Sequence, residues 1–145
     1  MPKATQSITI SAPVDKVFAF VSDPQRAPTF LPGLNRISSL SAPQQQVGRT
    51  WEWEFNWLGL TFSGKSQCMQ FSPASVYQFQ TLTGAHSTWT YRCEPRSSQT
   101  QLTLEVDYET PQALLARVAT AGILEKLNQH RAAETVANIK ALLEP

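Results

Sequence analysis

The chain has 145 residues, with 12 basic against 11 acidic side chains and a formal net charge of +1. This balance gives no reason to expect a nucleic-acid partner, whose binders usually carry a basic patch or stripe. No apolar run approaches the ~18 residues of a membrane span, and the N-terminus lacks a signal peptide's apolar stretch. We therefore expect a single domain over residues 1–145, located in the cytoplasm and not stably inserted in a membrane.

The predicted elements begin with a strand and two short helices. Ile8 and Ile10 alternate with polar residues, which predicts a strand at residues 7–11. Pro13 suits the first position of a helix, whose buried stripe would follow at helical spacing. Asp23 and Pro24 begin a second short helix in the same way, and the turn at residues 32–33 ends it.

The rest of the chain consists of a long stretch of strands closed by one long helix. Residues 35–110 predict six successive strands, with Pro73, Gly84 and Pro95 in gaps between them. Residues 112–143 predict a single helix, interrupted only by Gly122. A sheet this long, served by one helix, has to curl around that helix to bury its inner face. The layout therefore predicts an α+β fold with a hollow that suits a ligand.

Two cysteines fall on the predicted fourth and sixth strands. If these strands flank the fifth, Cys68 and Cys93 lie about 9–10 Å apart. A disulfide needs Cα atoms within about 7 Å, so we expect free, buried thiols. The sequence has no C-x-x-C or His/Cys spacing typical of zinc sites, and we predict neither a metal nor a cofactor.

Aromatic residues supply the prediction of a binding site. Ten of the fourteen lie between residues 51 and 91, and several occupy alternate positions that share one face of a strand. Such a face is either solid core or the lining of a cavity, and the donors on Trp and Tyr favour the cavity. The predicted ligand-binding residues of the sheet are Trp51, Trp53, Phe55, Tyr77, Phe79, Trp89 and Tyr91.

Two polar residues of the long helix complete the predicted ligand-binding set. Glu125 and Gln129 lie within the apolar stripe, which repeats at about 100° per residue. Either they face the cavity, or Gly122 lets the helix bend so that Glu125 faces water. His130 lies off the stripe and is expected to face solvent, and His86 is expected to be a turn residue.

An unusually apolar turn is predicted between the third and fourth strands. Trp57, Leu58 and Leu60 surround Gly59, where polar residues would be usual. One interpretation makes Trp57 and Leu58, with Phe30, a gate at the mouth of the cavity. The other has the turn pack onto the second short helix against Phe30.

Several segments resemble the START-like superfamily, and within it the polyketide cyclase/dehydrase and lipid-transport group, often called SRPBCC. The segments are residues 8–13 (Ile-Thr-Ile-Ser-Ala-Pro), Val17-Phe18, Asp23-Pro24, residues 30–33 (Phe-Leu-Pro-Gly), Val47-Gly48 and residues 71–73 (Phe-Ser-Pro). The resemblance implies a helix-grip fold. In that fold a seven-stranded curved antiparallel sheet surrounds a long C-terminal helix, with two short helices beside it.

The resemblance leaves three functions open, since one fold hosts many functions. We favour binding or transport of a hydrophobic small molecule, such as a lipid, a quinone or an aromatic polyketide-like compound, bound one to one. A polyketide cyclase/dehydratase-type enzyme would need little beyond a shaped cavity and one or two acid/base groups. A coenzyme-Q-binding or ribosome-association module, which the stretch from Asp23 to Gly33 resembles, is the third. No catalytic motif occurs, so no catalytic residue is predicted. A homodimer is left open.

Overall fold

The computed structural model describes residues 3–41, 46–84, 86–109 and 121–144. Two short helices follow the first strand, and the sheet then continues to the last helix. The elements are β1 (Lys3–Ile10), α1 (Val14–Val21), a 3-10 turn (Pro24–Arg26), α2 (Ala27–Phe30), β2 (Leu34–Ser38), β3 (Thr50–Trp57), β4 (Leu60–Ser72), β5 (Val76–Thr83), β6 (Ser87–Arg96), β7 (Gln99–Tyr108) and α3 (Ala121–Leu143). The predicted start of the long helix at residue 112 lies outside the described residues.

All seven strands form one antiparallel sheet in the order β1-β7-β6-β5-β4-β3-β2. From β2 to β7 each strand pairs with the next along the chain, and β1 pairs with β7. The sheet curls around α3, with α1 and α2 beside it. The predicted α+β helix-grip architecture is confirmed.

The first strand begins earlier than the sequence predicts. β1 pairs with β7 in continuous register from Lys3 opposite Asp107 to Ile10 opposite Thr100. Its first half is polar and carries no apolar alternation of its own, so the partner strand determines where it begins. The first helix begins one residue later than predicted, because Pro13 is the N-cap of α1 and Val14 is the first helical residue.

A solid core fills the space between the sheet, α1 and the C-terminal half of α3. Phe18 of α1 meets Phe71 of β4 edge to face, with ring centroids 5.3 Å apart. Ile139 of α3 and Leu102 of β7 have no exposed surface. The predicted buried stripe of α1 is confirmed, since its residues contribute to this core.

Both cysteines are free and buried, as predicted. Cys68 lies on β4 and Cys93 on β6, with β5 between them. Burial raises the pKa of the Cys93 thiol to about 12. This thiol therefore stays protonated at physiological pH and behaves as an apolar side chain.

Candidate functional site

A cavity of about 140 Å³ lies between the concave face of the sheet, the segment from residue 24 to residue 31, and the first turns of α3 that the structure describes. Its lining is mainly aromatic and aliphatic. The volume is close to the ~150 Å³ of an apolar cavity that holds benzene in an engineered protein. The cavity is partly open to solvent, and its inner space suits one aromatic ring or a short chain.

The strands bring all seven predicted ligand-binding residues of the sheet to this cavity. They line it because alternate positions of each strand point to the same face. The residues are Trp51, Trp53, Phe55, Tyr77, Phe79, Trp89 and Tyr91. Contact of these residues with a ligand stays a prediction.

The rings hold one another in place across neighbouring strands. Phe79 lies nearly parallel to Trp89, with centroids 5.9 Å apart and planes at 7°. Trp51 meets Phe79 edge to face at 5.4 Å, and Tyr77 stacks on Tyr91 at 6.2 Å. Offset and edge-to-face pairs of this kind stabilise the arrangement beyond the burial of their area. The cavity wall is therefore held in place before any ligand binds.

The indole of Trp53 occupies space left by two glycines. Trp53 lies directly opposite Gly64 in the pairing of β3 with β4. A Cβ added at Gly64 would come within 2.6 Å of Trp53 Cζ2, and one at Gly84 within 3.1 Å of the same ring. The absence of side chains at both positions therefore gives the indole its place against the sheet.

Two of the four tryptophans that line the cavity, Trp53 and Trp89, differ in the hydrogen bonds of their indole nitrogens. Trp89 Nε1 donates to Ser87 Oγ at 3.0 Å, so the protein itself satisfies this donor. Trp53 Nε1 is buried and has no hydrogen-bond partner among the described residues. A buried donor without a partner is rare and unfavourable.

The two tyrosines at the base of the cavity are neutral. Burial raises the pKa of Tyr91 far above its usual value. Burial also raises the pKa of Tyr77, and the neighbouring Cys68 and Tyr91 add to the effect. Their hydroxyl groups can therefore exchange hydrogen bonds with a ligand but cannot act as bases at neutral pH.

The prediction that Glu125 and Gln129 face the cavity is wrong. Both are exposed, and neither lines the cavity. Gln129 lies above the edge strand β1, where its Oε1 accepts a hydrogen bond from Gln6 Nε2 at 3.1 Å. The residues of the helix that line the cavity are instead Leu124, Asn128 and Arg131. Glu125 faces solvent, as the alternative expected, but Ile123, which a bend at Gly122 was expected to turn inward, is exposed as well.

Arg131 is the principal residue of the site that the sequence did not reveal. It lines the cavity together with Leu124 and Asn128, at positions i, i+4 and i+7 of one helix face. Its guanidinium carbon lies 4.5 Å from the ring centroid of Phe55 and 4.4 Å from that of Trp57. The helical spacing of these three residues was the available signal, but a charged residue beside an apolar stripe usually faces solvent.

His86 and Glu109 also line the cavity, where both are exposed to solvent. The backbone N–H of Glu109 donates to the carbonyl oxygen of His86 at 2.9 Å, which holds the two residues together. The expectation that His86 is only a turn residue is therefore incomplete. His130 is exposed as predicted, and its Nε2 lies 2.9 Å from Glu134 Oε1 on the outer face of α3.

The three predicted gate residues lie around one end of the cavity. Phe30 is buried in the cavity wall, and its carbonyl oxygen accepts a hydrogen bond from Asn138 Nδ2 of α3 at 3.0 Å. Trp57 lines both the cavity and a shallow outer pocket, and Leu58 lines that outer pocket. The turn therefore lies next to Pro32, at the end of the segment that carries Phe30. Movement of these residues as a gate stays a prediction.

The curved sheet that holds α3 over a cavity defines a START-like helix-grip protein. Over residues 1–144 the sequence matches the family described as polyketide cyclase/dehydrase and lipid transport, and the chain belongs to that family. A search of curated proteins gave no significant match.

Solved structures of low sequence identity share the fold. A START superfamily protein from Mycobacterium smegmatis aligns with a TM-score of 0.81 at 11% identity, covering 99% of this chain and 97% of that one. The Zhui aromatase/cyclase from Streptomyces sp. R1128 aligns with a TM-score of 0.77 at 17% identity, covering 97% and 92%. Major latex-like protein 151 from Panax ginseng aligns with a TM-score of 0.71 at 16% identity, covering 99% and 97%.

None of the helices in the described part of the chain is long and apolar enough to cross a membrane. Within residues 3–41, 46–84, 86–109 and 121–144, no group of three or more His, Cys, Asp or Glu side chains could hold a metal ion.

Proposed function

We propose that this protein binds a small hydrophobic molecule in its cavity and acts as a carrier or sensor of that molecule. One observation carries the proposal: the inward aromatic rings surround a space of about 140 Å³ instead of filling it. The rings border empty volume because large, mutually stacked side chains cannot interdigitate across a strongly curved sheet.

Physical chemistry favours occupation of such a space. Atoms that line a void lack neighbours on one side and lose their dispersion contacts there. Water in an apolar cavity finds few hydrogen-bond partners, so an apolar guest displaces it favourably. A concave, mostly apolar lining with a few polar groups is also the usual form of small-molecule sites. The expected complex is one to one.

Native mass spectrometry of protein purified from its own host tests the proposal directly. We expect an adduct of one small molecule per chain, which extraction would identify. The same spectrum measures whether the protein is a homodimer. A panel of fatty acids, quinones and aromatic polyketides should also quench the tryptophan fluorescence, because indoles line the cavity.

A matched pair of helix variants locates the binding. Asn128 lines the cavity, so Asn128→Phe should fill part of it and lower affinity at least tenfold, about 1.4 kcal/mol. Lys126 is exposed on the same helix, so Lys126→Phe should leave affinity unchanged. Absence of both adduct and quenching across the panel would reject the proposal. Equal effects of the two variants would place binding elsewhere.

A second candidate is a polyketide cyclase/dehydratase-type enzyme, and the observation that favours it is the placement of His86 and Glu109 at the cavity. A base there would take a proton from a carbon between two carbonyl groups. That carbon then attacks a further carbonyl carbon, and the alkoxide formed takes up the proton. The resulting hydroxyl leaves as water together with the second hydrogen of the attacking carbon, which forms a carbon–carbon double bond. Turnover of a polyketide-like triketone that His86→Ala or Glu109→Gln abolishes, without loss of binding, would establish the enzyme. Binding without turnover supports the carrier.

A further inference from the structure

Arg131 spans the cavity from α3 to β3. Its guanidinium carbon lies 4.5 Å and 4.4 Å from the ring centroids of Phe55 and Trp57, which are alternate residues on one face of the strand. Contacts of a guanidinium with aromatic faces fix its position without using its N–H groups. The cation is therefore held in place while its hydrogen-bond donors remain available.

No Asp or Glu side chain that the structure describes pairs with this cation. The described residues include all eleven Asp and Glu side chains, and none of the ion pairs among them involves Arg131. Across the part of the chain that the structure describes, its guanidinium also donates no hydrogen bond. Burial lowers the pKa of Arg131 to about 10, an effect that Tyr108 opposes, so the group is still charged at neutral pH.

A charge with this little compensation is unfavourable in the unliganded protein, because it has lost part of its hydration. Binding of an opposite charge in the cavity removes that penalty. We propose that the ligand of the cavity carries a carboxylate, which Arg131 binds while the apolar body of the ligand packs against the aromatic wall. This inference rests on the proposed function and specifies its ligand class.

The neighbouring groups suit a carboxylate in particular. A guanidinium presents a planar fork of donors that matches the two oxygens of a carboxylate. Asn128 lies one turn earlier on the same helix face, and its Nδ2 uses one hydrogen on the carbonyl oxygen of Leu124 at 3.1 Å. The Asn128 side chain also hydrogen-bonds the Tyr108 hydroxyl, so the guanidinium supplies the donors that a carboxylate would meet.

The acidic lining residue, Glu109, does not occupy the position of the ligand. It lies beside His86 and forms no ion pair with Arg131. Glu125 is exposed, outside the lining. The volume of about 140 Å³ limits the enclosed part of the ligand to about one ring, so a monocyclic aromatic acid is a suitable probe.

The test compares 3-phenylpropanoate with 3-phenylpropanamide, which has the same shape and no charge, by isothermal titration calorimetry. We expect the wild-type protein to bind the carboxylate at least tenfold more tightly, since charge-assisted hydrogen bonds are about twice as strong as neutral ones. Arg131→Met keeps an apolar stem and should bind both probes equally. Arg131→Lys should retain part of the preference.

The control is Arg92→Met, which removes the same charge from a half-exposed position on β6 that pairs with Glu105. It should keep the wild-type preference. Thermal melting of each variant checks folding, and Arg131→Met should melt no lower than wild type because it removes an uncompensated charge.

Equal affinities of wild type for both probes, or a preference that survives in Arg131→Met, would overturn the inference. Binding of neutral hydrophobic ligands with no binding of the carboxylate would also overturn it and leave the proposed function intact. Failure of every hydrophobic ligand to bind would remove the proposed function itself.

Discussion

The two ends of the concave sheet carry the same alternating pattern of large apolar residues, yet they are packed differently. At the filled end, Ile139 of α3 and Leu102 of β7 have no exposed surface. At the hollow end, Trp53, Phe55 and Trp89 stay half-buried around the cavity. The strands alone do not explain this difference, because their inner faces are apolar at both ends.

The difference comes from the helix that the sheet surrounds. Toward its C-terminus, α3 presents Val136, Ile139 and Leu143, which are buried and fill the space against the sheet. Nearer its start, two of the three cavity-facing positions are Asn128 and Arg131, whose polar ends cannot replace apolar side chains there, and only Leu124 is apolar. The strands therefore determine which face of the sheet points inward, and the helix determines whether the space against that face is filled.

Truncation at the two ends should show the largest contrast. Ile139→Ala leaves a new cavity in a tightly packed region and should lower the free energy of unfolding by about 2–5 kcal/mol. Phe62→Ala removes a half-buried residue that already borders empty space, so its loss should be smaller. Urea denaturation measures both. Equal losses would mean that the two ends are packed alike.

A methyl group at residue 64 should disturb the hollow end and the neighbouring strand β5. Gly64→Ala places a Cβ 2.6 Å from the Trp53 ring and 2.2 Å from the Thr83 carbonyl oxygen, so it should displace both, cost at least about 1–3 kcal/mol and change the tryptophan fluorescence. Ser63→Ala, at the exposed neighbouring position, is the control and should change neither quantity. Unchanged fluorescence in Gly64→Ala would show that the indole does not depend on this glycine.

Cys93 in the core and Arg131 at the cavity should affect the pH dependence of stability in opposite directions. Folding raises the pKa of Cys93 to about 12. Above pH 9 the unfolded state therefore releases a proton that the folded state keeps, so the free energy of unfolding falls as pH rises. The raised pKa of Tyr91 acts in the same direction above pH 10. The pKa of Arg131 is lowered to about 10, so its contribution to stability increases between pH 10 and its usual value of 12.5.

Urea midpoints at pH 8, 9 and 10 measure this dependence, with a limiting slope of about 1.4 kcal/mol per pH unit for each titrating group. Cys93→Ala should be less stable at pH 8 but lose less stability as pH rises. Arg131→Met should follow the wild-type slope below pH 10. A slope that Cys93→Ala does not change would show that this thiol is not the cause.

The smallest expected effect concerns the turn next to the hollow end. Leu58 and Gly59 form a two-residue connection with φ values of 52° and 78°, a conformation that favours Asn-Gly. Leu58→Asn should therefore raise the free energy of unfolding by up to about 1 kcal/mol. Stopped-flow fluorescence of this variant then tests whether the turn acts as a gate. Faster ligand exchange would support the gate, and unchanged exchange would leave Leu58 with a packing role only.

The strand pattern was predictable because the alternation of inward and outward side chains repeats every two residues and can be recognised within a short segment. Alternation alone identified Trp53 and Phe55 as inward-facing, and β5 lies between Cys68 and Cys93 as expected. The start of β1 was not predictable, since its polar residues become a strand only by pairing with β7.

The cavity face of the helix could not be predicted from an ideal period. Glu125 lies on the ideal stripe but faces solvent, because what a helix position meets depends on where the curled sheet ends. Arg131 was missed for a related reason. Its environment is created by Phe55 and Trp57, which lie far away in the sequence and approach it only after the sheet has closed.

The packing of the Trp53 indole against Gly64 and Gly84 limits how the binding preference of this protein can evolve. A Cβ at position 64 would meet the Thr83 carbonyl oxygen at 2.2 Å as well as the Trp53 ring, so a smaller residue at position 53 does not make room for it. Gly84 has a φ of 87°, which favours glycine whatever side chain lies nearby. Changes in the shape of the cavity should therefore arise at residue 53, while both glycines are retained.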